Sequence, residues 1–163
     1  MANVSKKEME AFFSKEFPQA NFVLEAFDED SVTIRRKVDT EDLRPGGTVS
    51  GPTMMGLADC AIYVTILREI GLVAHAVTTS LNFNFLRKPV ADKDILGVCR
   101  ILKLGKTLAV GEVTIYSEGD DRPIAHSVGT YSISPKNRCL GIGPKHTDKE
   151  QARDNSFHDI PVL

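Results

Sequence analysis

The sequence predicts an α+β domain, one long buried helix covered by a single antiparallel sheet. Three observations carry this. The stretch 52–71 is helix-patterned, and Met54, Met55, Leu57, Ala58, Ala61, Ile62, Val64, Ile66, Leu67 and Ile70 leave it almost no polar face. A helix that is apolar all round is a buried one. After it the hydrophobic period changes from helical to two. The segments of that second pattern are joined by short glycine-bearing turns, which makes them an antiparallel meander. A helix without a polar face needs cover on more than one side, so the sheet is expected to curl around it. That leaves the outer sheet face or the sheet edges for a partner, and an oligomer is expected.

In chain order, 5–17 reads as a short amphipathic helix. Ser5 followed by Glu8 is a capping box, and Phe12 and Phe13 would pack the helix onto the body. Strand-like runs over 21–27 and 31–38 flank an acidic turn, Asp28-Glu29-Asp30. A glycine-rich entry, from Gly46 to Pro52, runs into the central helix. Glycine as N-cap and proline at the first helical position suit a helix start, because the missing amide has no intrahelical partner there. In 76–86, Val77, Thr79, Leu81, Phe83 and Phe85 share one face, against Thr78, Ser80, Asn82 and Asn84. Three further strands are expected over 94–104, 107–118 and 122–134. Gly105-Lys106 and Gly119-Asp120-Asp121 form the hairpin turns between them. The domain therefore spans 1–134. The remainder, 135–163, is rich in glycine, proline and charge and reads as an irregular tail.

Composition narrows the function. At 163 residues, 42% hydrophobic and 26% charged, the chain is one domain with room for a core. A net charge of −2 gives no reason to expect nucleic acid or an anionic membrane surface. No apolar run spans a bilayer, and the first residues lack the apolar region of a secretory signal, so a cytoplasmic protein is expected. Cys60, Cys99 and Cys139 form an odd and widely spaced set, and the four histidines lack metal-ligand spacing. Neither disulfides, a zinc site nor another cofactor is expected.

One ionisable group, Asp59, stands in the apolar helix body. Aspartate is a poor helix former, and burying even an uncharged polar group costs about 2–7 kcal/mol without a partner. Such a residue needs a reason.

The pieces Gly46 to Ala61, Thr78 to Pro89 and Ile101 to Ile133 together resemble the hotdog fold, a curled antiparallel sheet around one long central helix. More closely they are similar to the phenylacetate-degradation-type (PaaI-like) acyl-CoA thioesterases. The resemblance implies thioester hydrolysis, an acyl-CoA substrate with coenzyme A only as part of it, and a homodimer or homotetramer. The family usually carries His-Gly-Gly at the helix entry and an acidic residue eight positions after the first glycine. Here Ser50-Gly51-Pro52 stands at the entry and Asp59 at the acidic position. Ser50 removes the family's ring and Pro52 removes one amide donor.

Thioester hydrolysis needs a group that activates water or attacks the carbonyl, donors for the oxyanion, and a slot for the carrier. Asp59 can supply the first, as general base or as nucleophile. Free amides at a helix start suit a developing negative oxygen, and the resemblance assigns that role to the amide of Gly51. Gly51 and Asp59 are eight residues apart, about 12 Å along a helix, so one carbonyl cannot touch both in one chain. If both act, the site combines two subunits, as it does in the family. The resemblance makes Thr78 a candidate to orient the carboxylate or the water. Arg44 stands where relatives often have Asn and would line the pocket, with Ser50, Pro52 and Met55 beside the acyl group. Arg87, Lys88, Lys103 and Lys106 are candidates for the phosphates of coenzyme A. Two other readings fit the same fold: a non-catalytic acyl-CoA-binding or regulatory module, and an enoyl-CoA hydratase or dehydratase, whose chemistry usually adds a histidine at the entry. Cys60 and His126 read as packing residues.

Overall fold

The structure, a computed structural model, describes residues 4–72 and 75–133. The expected tail 135–163, with Cys139, His146 and His158, lies outside them. The elements run α1 (Lys6–Glu16), β1 (Val23–Phe27), β2 (Val32–Arg36), a 3-10 turn (Thr40–Asp42), β3 (Leu43–Arg44), β4 (Thr48–Val49), α2 (Gly51–Ile70), β5 (Ala76–Phe85), β6 (Ile95–Leu104), β7 (Leu108–Ser117) and β8 (Pro123–Ile133). Six strands form one sheet in the order β1-β2-β6-β7-β8-β5, and every pairing is antiparallel. Helix α2 packs against β2, β5, β6, β7 and β8, so the sheet wraps it as expected. This is the hotdog arrangement. Among the described residues no helix is long and apolar enough to cross a membrane.

The core lies between α2 and the concave sheet face. Leu57, Ala58, Ala61, Ile62, Val64, Ile66 and Leu67 are buried against Ile34, Ile95, Val113, Ile115 and Ala125. The helix comes this close because β7 and β8 leave a seat for it. Gly111 and Gly129 pair across the two strands, and a Cβ on Gly129 would stand 2.5 Å from Ile62 Cδ1. Helix α1 caps one side through Met9 and Phe13, whose ring meets Phe22 and Tyr63 edge-on. Its N-cap is Ser5 with Glu8 in a complete capping box.

Two local expectations are corrected. The cap of α2 is Ser50, not Gly51: its side chain accepts from the Thr53 amide, and Gly51 and Pro52 form the first turn. A serine oxygen can satisfy an orphan amide and a glycine cannot, so the cap falls one residue earlier. The regular alternation across 76–86 also fails. The β5–β8 register shifts between Thr78 and Ser80. A bulge inserts one extra residue, so Thr78 sits opposite Tyr131 and shares the helix-facing side with Leu81 and Phe83. A further element was not expected, the two-residue ribbon β3–β4, closed by a turn in which Gly46 and Gly47 have φ of 97° and 68°.

Candidate active site

Asp59 projects from the ninth position of α2, half-buried, toward the end of the sheet where β5 and β8 meet. Thr78 Oγ1 donates to Asp59 Oδ1 at 2.6 Å, an approach the bulge makes possible. The Tyr131 hydroxyl lies 2.6 Å from the same oxygen and 2.9 Å from the Asp59 carbonyl oxygen. Burial, and then the bond to Asp59, push the Tyr131 phenol well above its usual pKa, so it stays a neutral donor. Tyr63 stacks on it at 6.2 Å between centroids and fixes its plane. Both hydroxyls address Oδ1, and no described residue bonds Oδ2. No described cation pairs with Asp59 either. The result is a carboxylate oriented by neutral donors, with one oxygen unbonded among the described residues.

Tyr131 was missed by sequence reasoning, yet it had a signal. It alternates with Ala125, Ser127, Gly129 and Ile133 on the inward face of β8, and a buried tyrosine hydroxyl seeks a partner. Cys60, the next residue, is pushed up to about 11 by burial and by Asp59, so it stays a thiol. His126 faces away from α2 and approaches Glu112 at 3.4 Å.

The helix entry is a second centre. The Gly51 amide has no acceptor among the described residues; the amides of Thr53 and Met54 donate to the Ser50 hydroxyl and carbonyl oxygens. Gly51 opens onto a cavity of about 450 Å³. Arg44 and Thr48 from the ribbon, Met54 from α2, and Phe85, Arg87 and Lys88 from the end of β5 also line it. Phe85 covers the glycine closely, with its Cζ 3.1 Å from where a Cβ would stand. Of the expected binding residues, Arg44, Arg87 and Lys88 therefore come together here, around Gly51.

The others do not. Ser50 is engaged as the cap and shares a 2.9 Å hydrogen bond with Thr53 Oγ1. Pro52 borders a separate cavity of about 440 Å³ with Asp42 and Cys60, and Met55 is 38% exposed. Lys103 and Lys106 are exposed around the β6–β7 hairpin. That hairpin meets the Ile133 end of β8, whereas Arg87 bonds at the Ile124 end. Within one chain the four basic residues thus lie at opposite ends of the sheet. Asp59 and Gly51 are likewise separated by two turns of α2, about 12 Å.

The comparisons with known proteins agree with this architecture. Residues 46–124, which include Gly51, Asp59 and Thr78, match the thioesterase superfamily. A solved structure of a putative thioesterase from Silicibacter sp. TM1040 is 44% identical, with a TM-score of 0.77 over 83% of this chain and 95% of that one. A putative esterase of Thermoplasma volcanium is 30% identical over 91 residues, 56% of this chain and 66% of that protein, just under two thirds of its length. The PaaI protein from the phenylacetic acid degradation operon of E. coli has the same fold, with a TM-score of 0.63 over 78% of this chain and 91% of that one, at 20% identity.

Proposed function

Because this chain belongs to the thioesterase superfamily, and is by that membership a thioester hydrolase, we propose that it cleaves acyl-CoA thioesters with Asp59 and Gly51. The observation that carries this reading is the asymmetry of Asp59. Its Oδ1 is tied by two hydroxyls and its Oδ2 is unbonded among the described residues. In the proposed reaction Oδ2 takes a proton from water as the water adds to the carbonyl, and the Gly51 amide stabilises the oxyanion. The C–S bond then breaks, and the proton passes to the departing thiolate. Direct attack by Oδ2, through an acyl anhydride, fits the same geometry. A single turnover in ¹⁸O-water tests the second route, because label reaches Asp59 only when water opens the anhydride at the Asp59 carbon, whereas opening at the acyl carbon labels the product as general-base attack does. Neither route calls for a metal or a redox cofactor.

The two centres belong to one site only if two chains share it. Strand β5 is an edge of the sheet. Its Thr78 end carries the acid and its Phe85 end carries the cavity. Antiparallel pairing of β5 with β5 of a second copy would bring each acid to the other chain's cavity. Edge strands offer an unpaired row of amides and carbonyls for such pairing. The partner chain's Lys103 and Lys106 would then stand at the same end of the joint sheet as Arg87 and Lys88.

The test is a thiol-release assay over short, long and aromatic acyl-CoAs. Asp59→Asn and Gly51→Pro should each remove turnover. Mixing the two variants under subunit exchange should restore it, since half of the sites in a mixed dimer have both groups. No recovery on mixing, with exchange verified, would refute the shared site. Full activity in Asp59→Asn would refute the mechanism.

A further inference from the structure

The cavity beside Gly51 contains more than carbonyl activation requires. Arg44 and Thr48 sit opposite each other across β3 and β4, and both line the cavity. Opposed residues of an antiparallel pair put their side chains on one face. Arg44 is exposed and makes no ion pair among the described residues. Thr48 is 7% exposed, yet its hydroxyl has no hydrogen-bond partner among the described residues. The other buried serine and threonine hydroxyls among the described residues are satisfied. Thr65 bonds the Ala61 carbonyl, Ser127 the Asn82 carbonyl, Ser31 the Asp28 carboxylate, and Ser117 accepts from the Val90 amide. Buried polar groups are nearly always paired, so this hydroxyl, on a residue that lines the cavity, is an exception that a ligand oxygen could satisfy.

We propose that Arg44 and Thr48 recognise the acyl group, and that this group ends in a carboxylate, making the substrate a short ω-carboxyacyl thioester. The inference rests on the reading that Gly51 holds the thioester carbonyl. Thr48 precedes Gly51 by three residues, so it stands at the reacting end of the substrate. The phosphates of coenzyme A lie at the far end of the pantetheine arm, and Arg87 and Lys88, which line the same cavity, remain the candidates for them. A carboxylate presents two oxygens. The planar guanidinium of Arg44 can take both, and the Thr48 hydroxyl can donate to one of them. An aliphatic tail would leave both groups unpaired. The remaining walls, Val49, Met54 and Phe85, are apolar and suit the methylenes between the two carbonyl carbons.

Binding is measured by calorimetry with thioethers, which cannot be hydrolysed. S-(3-carboxypropyl)-coenzyme A is compared with S-butyl-coenzyme A, and the same two groups are compared on N-acetylcysteamine, which lacks phosphates. The wild-type protein should prefer the carboxylate on both carriers, on the order of tenfold for a charged hydrogen-bond pair. Arg44→Met should erase the preference. Thr48→Val should reduce it. Equal affinities in the wild type would overturn the proposal. So would an Arg44→Met variant that weakens both coenzyme A thioethers alike and spares the N-acetylcysteamine pair, which would put Arg44 on the phosphates. Turnover of succinyl-CoA and butanoyl-CoA then separates the two readings. Carboxylate preference without thiol release leaves this recognition standing and removes the hydrolytic mechanism. Thiol release from both at equal kcat/KM, without binding preference, removes the recognition alone.

Discussion

Asp42 stands against the entry of α2, and Asp59 stands within α2, two turns further along. Asp42 is 2% exposed. It accepts from Arg36 at 2.7 Å, from the Asp39 amide at 3.1 Å and from Thr53 Oγ1 at 3.2 Å. Burial alone would push its pKa up. The Arg36 guanidinium, the Asp39 amide and Thr53 outweigh this and hold it below the usual carboxylate value. Asp59 meets only the two neutral hydroxyls of Thr78 and Tyr131, and its second oxygen is unbonded among the described residues. A fully compensated carboxylate is spent on structure: Asp42 fastens β2 and the ribbon to the start of the helix. An incompletely compensated one costs the fold something, a cost that the proposed reaction at Asp59 would explain.

That contrast is sharpest in the pair of amide substitutions. Asp59→Asn should lower kcat by about 10²–10⁴-fold, the usual worth of a positioned acid or base. Its melting temperature should change little, because an amide oxygen can still accept from both hydroxyls. Asp42→Asn should do the reverse. Removing one partner of a buried ion pair costs about 3 kcal/mol, read as a lower midpoint in urea. Comparable losses of stability in both variants would break the comparison.

Acid should sharpen it further. A carboxylate whose folded pKa is depressed contributes stability that is fully present above the unfolded value, about 3.9. That stability is lost as the pH falls through the folded value. Wild-type protein should therefore lose stability below about pH 4 more steeply than Asp42→Asn does. Denaturant midpoints measured in that range would show it. Smaller effects are expected at the hydroxyls. Thr78→Val and Tyr131→Phe should each cost about 1 kcal/mol of stability, and each should slow turnover while leaving KM close to wild type. Their double variant should lose more rate than the sum, because either donor alone can hold Oδ1. Strict additivity would mean that they act separately.

How much of this could be read from the chain follows from the range of each signal. The buried helix, the meander and the lone carboxylate are local patterns, and Asp59 stood out because no charged residue precedes Arg68 and Glu69 in the rest of 52–71. Its partners were harder. Tyr131 is 72 residues away, and only the sheet brings it near. Thr78 was singled out, but strict alternation placed it on the wrong face. A bulge is decided by how β5 must pair with β8, not by the composition of β5. Asp42 drew no notice because it lies in a polar stretch, where a buried carboxylate looks like any loop residue. The orphaned Thr48 hydroxyl has no sequence signature at all, since hydrogen-bond satisfaction is a property of the packed structure.

The smallest effect is expected where the two regions touch, at Ser50. This residue stands where the resembled family carries a histidine, and it lies between Asp42 and the Gly51 amide. Its backbone amide bonds the Asp42 carbonyl at 2.8 Å, and its side chain caps α2. The cap bond to the Thr53 amide is 3.3 Å, at the long end of the range. Thr53 Oγ1 keeps its own bond to Asp42 without it. Loss of a serine cap costs about 0.5–2 kcal/mol, and the second anchor places Ser50→Ala at the bottom of that range. Its kcat/KM should stay within about twofold of wild type, as for a lost neutral contact far below the 1.4 kcal/mol that makes a tenfold change. A selective rise in KM, with the midpoint in urea unchanged, would instead move Ser50 from the structural side of the helix entry to the substrate side.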